Sequence, residues 1–184
     1  GGTFMEKRRI SILGDSISTF AGYTPEEAVF YDSYVQWETG VKSVEDTWWM
    51  QVIKALDGEL GTNQSRAGSM VSGNLSTSAM SYERIEKLGT NGIPDIILIS
   101  AGCNDWGFCV LPEEFEEAYR TMLHRIKEQY PHADIYCATL PAGKQPQGET
   151  FFNIDSTIST RVSSDIIREN AQKAQVYIAD LANV

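Results

Sequence analysis

Apolar residues along this chain fall into short continuous runs, separated by stretches in which they recur every third or fourth position. The runs Lys7 to Leu13 and Pro94 to Ala101 (PDIILISA) have the form of strands. The second is apolar throughout, as expected of a central parallel strand covered on both faces. Ala133 to Leu140 and Gln175 to Leu181 repeat the signal, and Leu60 to Gln64 is assigned as a strand chiefly from its place between helices. Helical stripes lie between these runs. Asp46-Thr47 offers an N-cap ahead of Trp48, Trp49, Val52, Ile53 and Leu56, with Gly58 in the C′ position. Ser81 to Leu88 reads as the end of a second helix, closed by Gly89. Pro112 opens a third, with acidic residues in its first turn and Phe115, Ala118, Met122, Leu123 and Ile126 on one face. Ile154, Ile158, Val162, Ile166 and Ile167 stripe a fourth. Residues 21–45 hold neither period and predict a long aromatic-rich connection, of the kind that is either functional or draped over the core.

Four helices alternating with five strands predict one α/β domain over residues 1–184, a three-layer α/β/α sandwich around a parallel sheet. In such a sheet the ligand site lies beyond the carboxyl ends of the strands. Three successive strands end in polar or glycine-rich turns: Gly14-Asp15-Ser16, then Asn63 to Gly68, then Gly102-Cys103-Asn104-Asp105. With the flavodoxin-like order 2-1-3-4-5, the first strand lies between the second and third and all three turns converge at the switch point.

A hydroxyl, a glycine amide and a carboxamide facing one another are what acyl transfer requires: a nucleophile, and donors aimed at the oxygen that becomes negative in the tetrahedral intermediate. Ser16 would attack, while the amides of Ser16 and Gly68 and the side-chain NH2 of Asn104 would hold the oxyanion. Gly68 suits this because a residue without Cβ lets the backbone approach a substrate closely.

Composition narrows the ligand. A formal charge of −10, with no clustered basic residues, argues against nucleic acid and against an anionic membrane, and leaves a small molecule or neutral polymer. No apolar run approaches the ~18 residues of a membrane span, and the start lacks the apolar stretch of a secretory signal. Gly1 to Phe4 read as residues added ahead of a native start at Met5. Cys103, Cys109 and Cys137 have no paired spacing and read as free thiols in a reducing, cytoplasmic compartment. The single glycine after the first strand makes neither a dinucleotide fingerprint nor a phosphate loop, and two distant histidines cannot assemble a metal centre, so a mechanism without cofactor is expected.

These blocks resemble those of the SGNH hydrolases, the GDSL esterases and lipases: Gly14-Asp15-Ser16 as the first, Gly68 within NQSRAGS as the second, Gly102-Cys103-Asn104-Asp105 as the third. The helix opening TWWMQ and the order of elements are also similar to that family, so the resemblance covers nearly the whole chain. It implies a flavodoxin-like fold and hydrolysis of carboxylic esters, with Ser16 as nucleophile, Gly68 and Asn104 in the oxyanion hole, and Asp15 and Asp105 bracing their loops. The family's final block, an Asp with the catalytic His three residues on, has no counterpart here, since Asp180 is followed at that spacing by Asn183. His124 falls within a helix and His132 before the fourth strand, at the amino end of the sheet. The expectation is therefore a fragment that lacks the segment carrying the triad His and is nearly inactive alone. The expected substrate is a short acyl ester of a carbohydrate or small alcohol. A non-catalytic carbohydrate- or acyl-binding module is the alternative. Tyr23, Phe30, Tyr31, Tyr34 and Trp37 either line a pocket or pack their loop down, Trp48 and Trp49 read as core and rim, and Cys103 reads as inert.

Overall fold

A computed structural model describes residues 6–141 and 159–181. In chain order the elements are β1 (Arg9–Gly14), α1 (Ser33–Glu38), α2 (Trp48–Ala55), β2 (Glu59–Asn63), α3 (Tyr82–Glu86), β3 (Ile96–Ser100), α4 (Cys103–Gly107), α5 (Pro112–Gln129), β4 (Asp134–Ala138), α6 (Thr160–Ala174) and β5 (Tyr177–Ala179). The strands form one sheet in the order β2-β1-β3-β4-β5 with every pair parallel, as the alternation of elements predicts. Among the described residues no helix is long and apolar enough to cross a membrane.

Side chains alternate across the sheet, which sorts the core into two parts. Leu13, Ile97, Ile99, Ile135 and Cys137 face α3, α5 and α6 and pack with Ile85, Tyr119, Met122 and Ile167. Ile10, Ile12, Ile96 and Leu98 face the other way, onto Trp49 and Ile53 of α2 and onto Phe20 and Tyr31 of the long connection. The second face is thus clothed by one helix and a loop, the first by three helices.

Local chemistry sets the element ends, and several differ from expectation. Helix α2 is capped as predicted by Thr47, whose hydroxyl accepts from Met50 N. Its left-handed terminal residue, however, is Asp57 (φ 49°) and not Gly58. Gly58 is the following residue, and its N–H closes the turn onto Ile53 O at 2.9 Å. Its lack of a side chain answers to packing, because a Cβ would lie 2.7 Å from Ile10 Cδ1 and 3.1 Å from Arg8 O, so the buried Ile10 side chain would have to shift. The long connection contains α1, capped by the Asp32 carboxylate on Tyr34 N and Val35 N. In α6 the buried residues include Ile166 and Ile167, but Val162 is 38% exposed, so it leaves the expected stripe. Ile154 and Ile158 lie outside the described residues.

Candidate active site

Strand β1 runs out at Gly14, where side-chain space also ends: a Cβ there would lie 2.6 Å from Ser18 Oγ and 3.0 Å from Ser65 Oγ. The chain then tightens into a 3-10 turn, Ser16–Ser18. Ser16 O accepts from Thr19 N at 3.2 Å and from Thr19 Oγ1 at 2.7 Å, which fixes the backbone of Ser16. The Ser16 hydroxyl is half-buried and, among the described residues, is held by no hydrogen bond. Ser18, one turn on, accepts Trp48 Nε1 on its hydroxyl (3.0 Å) and Asn63 Nδ2 on its carbonyl (3.0 Å), so the turn is anchored to α2 and to the end of β2.

The loop after β2 is stitched to the first by Arg66 N donating to Gly14 O at 3.1 Å, and to the long connection by Ala67 N donating to Ala28 O at 2.8 Å. Gly68 follows with φ +76°, a left-handed conformation that favours glycine, and with open space where a Cβ would stand. The loop after β3 completes the set. Asn104 is 2% exposed and gives one Nδ2 hydrogen to Ser69 O at 2.8 Å, leaving its second N–H without a partner in that bond. Asp105 accepts Val71 N (2.8 Å), Ser72 N (3.1 Å) and Ser72 Oγ (2.7 Å), which ties the loop after β3 to the stretch beyond Gly68. Three turns widely separated in sequence are therefore bonded to one another at the carboxyl end of the sheet, and Asp105 braces, as the resemblance implies.

The electrostatics beneath these turns are dominated by burial. Burial pushes the Asp15 carboxyl up to about 6 against the Ile17 N–H and the Arg84 guanidinium, which pull it down. Asp105 is raised for the same reason, opposed by its hydrogen bonds to Val71 and Ser72. The Cys103 thiol is pushed up to about 12 by burial and by the neighbouring carboxylates, so it stays neutral and is a poor nucleophile. Arg84 is 2% exposed and donates to Gln64 O, Thr77 O and Gly14 O. Sequence reading missed it: an arginine in a short polar helix looks like a solvated residue, and only its carbonyl partners, distant in sequence, reveal the burial.

A cavity of about 260 Å³ opens beside the Ser16 turn, lined by Asp15, Ile17, Trp48, Ala101, Leu140 and Leu181 among others. A larger groove of about 460 Å³ between α5 and α6, lined by Arg120, Lys127 and Lys173, lies away from the three turns. Of the aromatic residues in the long connection, Tyr31 is buried with Phe20 and Trp49, so it packs the loop down. Tyr23 leans on Trp49 at 6.1 Å between ring centres, while Phe30, Tyr34 and Trp37 are exposed. Trp49 is fully buried and Trp48 forms part of the cavity wall, the expected core and rim.

Neither histidine joins the site. His124 is an exposed residue of α5, 3.5 Å from Glu128, and His132 is exposed two residues before β4, at the far end of the sheet. Asp180 is held in a two-pronged ion pair by Arg168 at 2.9 and 2.8 Å. Among the described residues no group of three His, Cys, Asp or Glu side chains is placed to hold a metal ion.

Comparison with known proteins fits this geometry. No curated protein sequence matches the chain. A structure from Bacteroides ovatus described as a GDSL-like lipase is 25% identical, with TM-score 0.73, over 96% of this chain and 86% of that one. A second, from Bacteroides uniformis and described in the same way, is 26% identical with TM-score 0.68, over 95% of this chain and 83% of its own. The psychrotrophic esterase EstA of Pseudoalteromonas, inhibited by monoethylphosphonate, shares the fold at TM-score 0.58 and 15% identity, over 94% of this chain and 76% of that one. The sequence profile of the GDSL-like Lipase/Acylhydrolase family matches residues 8–145, so the chain belongs to that family, the SGNH hydrolases, and has its flavodoxin-like α/β fold.

Proposed function

We propose that this chain carries the nucleophile and oxyanion donors of a serine acyl hydrolase acting on short acyl esters of carbohydrates or small alcohols. The observation that carries the reading is the bonded junction of the three turns: Arg66 N joins the Gly68 loop to Gly14 O at 3.1 Å, the Asn104 carboxamide reaches the same loop at 2.8 Å, and the Ser16 hydroxyl, in the first turn, is left unbonded among the described residues. In the reaction, Ser16 Oγ attacks the ester carbonyl carbon and loses its proton to a base. The carbonyl oxygen becomes an oxyanion held by the N–H groups of Ser16 and Gly68 and the remaining Nδ2 hydrogen of Asn104. Collapse expels the alcohol, which takes up the proton, and water then releases the acid from the acyl-serine. Each oxyanion donor contributes about 2.7–4 kcal/mol of barrier lowering in comparable sites.

The base is neither His124 nor His132, whose positions put them out of reach of Ser16. Loss of a triad histidine costs on the order of 10⁶ in turnover, so with no histidine beside Ser16 slow ester hydrolysis is the expected outcome. The test is hydrolysis of a short-chain aryl ester with and without added imidazole as a substitute base, beside Ser16→Ala. Imidazole-dependent turnover that the substitution abolishes is expected, and equal turnover in both proteins defeats the assignment of Ser16. That neither histidine joins the site also favours a second reading, a carbohydrate- or acyl-binding module that keeps the pocket without the chemistry. Saturable ligand binding, with no labelling of Ser16 by a fluorophosphonate in the presence of imidazole, would support the module.

A further inference from the structure

Arg84 sits in α3 within the polar stretch YERIEK, yet its side chain is buried, and two of the three carbonyls it meets, those of Gly14 and Gln64, belong to the turns that bear Ser16 and Gly68. Nε and Nη2 bond Gln64 O at 3.0 and 2.8 Å, Nη1 bonds Thr77 O at 2.7 Å, and Nη2 also bonds Gly14 O. Gly14 is two residues before Ser16, and Gln64 is four before Gly68. The register between β1 and β2 shifts after Ile10, and the last paired residues are Ile12 and Asn63. Past that pair the backbone bonds run on through Gln64 N to Ile12 O at 2.8 Å and Arg66 N to Gly14 O at 3.1 Å, and the guanidinium closes the end by bonding the Gly14 and Gln64 carbonyls together. A buried apolar residue of similar volume often stabilises a core as well as a buried ion does. It cannot set the distance between two carbonyls with directional bonds, which is what a planar fork of five donors is shaped for.

We propose that Arg84 is a positioning residue for the reaction: its guanidinium fixes the spacing between the end of β1 that bears Ser16 and the loop that bears Gly68, and so aligns the nucleophile with the oxyanion donors. The inference rests on the reading of Ser16 as nucleophile. Lysine cannot take the place of arginine here, since one ammonium cannot bridge three carbonyls in a plane. The Asp15 carboxylate nearby balances the buried positive charge.

The test uses Arg84→Lys, Arg84→Met and Arg84→Ala with two readouts. The first is the rate at which an ethyl fluorophosphonate labels Ser16 with imidazole present, followed by intact mass; the Oγ–P bond forms, fluoride leaves and imidazole takes the proton. The Lys and Met variants are expected to slow by roughly 10²-fold, the loss seen when an oxyanion donor is removed, and free methylguanidinium is expected to restore part of the rate to Arg84→Ala. The second readout is backbone amide exchange in the same variants. Exchange should quicken in residues 14–18 and 64–69 while 96–99 of β3 keep their protection. Labelling as fast as wild type in Arg84→Met overturns the proposal. So does quickened exchange spread evenly through β3, which would make Arg84 a general stabiliser. If wild type itself fails to label, the nucleophile reading falls, and the exchange pattern alone then decides whether Arg84 sets the spacing of the two turns.

Discussion

Asp15→Asn removes a carboxyl whose ionisation the fold opposes. The residue is 6% exposed, and burial raises its pKa from the ordinary 3.8 to about 6. Below 3.8 both the native and the unfolded chain carry the neutral acid, and Asp15 contributes nothing to the pH dependence. Between 3.8 and about 6 the native state keeps a proton that the unfolded chain has released, so stability falls as pH rises through that window. Above it both forms are ionised and the loss is constant; a separation of about two pH units at 1.36 kcal/mol each makes it about 3 kcal/mol. Asparagine cannot ionise. The variant should therefore match wild type near pH 4 and exceed it by up to about 3 kcal/mol near pH 8, or about 6–12 °C in Tm for a chain of this size. Urea unfolding at intervals from about pH 4 to about pH 8, on both proteins, reads the difference directly. Asp105, raised by the same cause, keeps a slope of the same sign in the variant. Parallel curves of stability against pH for the two proteins would refute the assignment of the slope to Asp15.

Gly14→Ala would drive a Cβ to 2.6 Å from Ser18 Oγ and should cost about 1–3 kcal/mol of stability by overpacking, measurable by chemical denaturation together with a changed near-ultraviolet signal from Trp48. Asp105→Asn turns one acceptor into a donor facing the donors of Val71 and Ser72, and should cost about 2–3 kcal/mol, with faster amide exchange at those two residues. Iodoacetamide on the native protein should modify exposed Cys109 first, because the thiols of Cys103 and Cys137 are raised to about 12 by burial; peptide mapping after short reaction times checks the order.

Much of this was readable where one physical signal dominated. The continuous apolar run of β3 and the stripe of α5 are long enough that burial overrides local detail, and both elements lie where the pattern predicts them. The turns of the site were legible because a carboxyl-end position in a parallel sheet gives small and polar residues a reason to follow an apolar run. Features built from few residues were not. Helix α1 has a capping Asp32 but no buried face, so its six residues show no period. Helix α4 is five residues long and opens directly from Gly102, inside a block read only for its chemistry. Gly58 was assigned a conformational role when its neighbour Asp57 takes the left-handed position and the glycine answers to Ile10, a contact across the fold. Arg84 belongs to the same class, since four bonds to carbonyls up to seventy positions away leave no trace in the residues beside it.

The unequal clothing of the sheet bears on how the molecule breathes. Three helices lock one side, while the side behind the Ser16 turn relies on α2 and a connection held by Phe20 and Tyr31. A layer that is largely a connection is expected to open at lower cost than one locked by long helices, so amide exchange in the connection should precede exchange in β1 and β3.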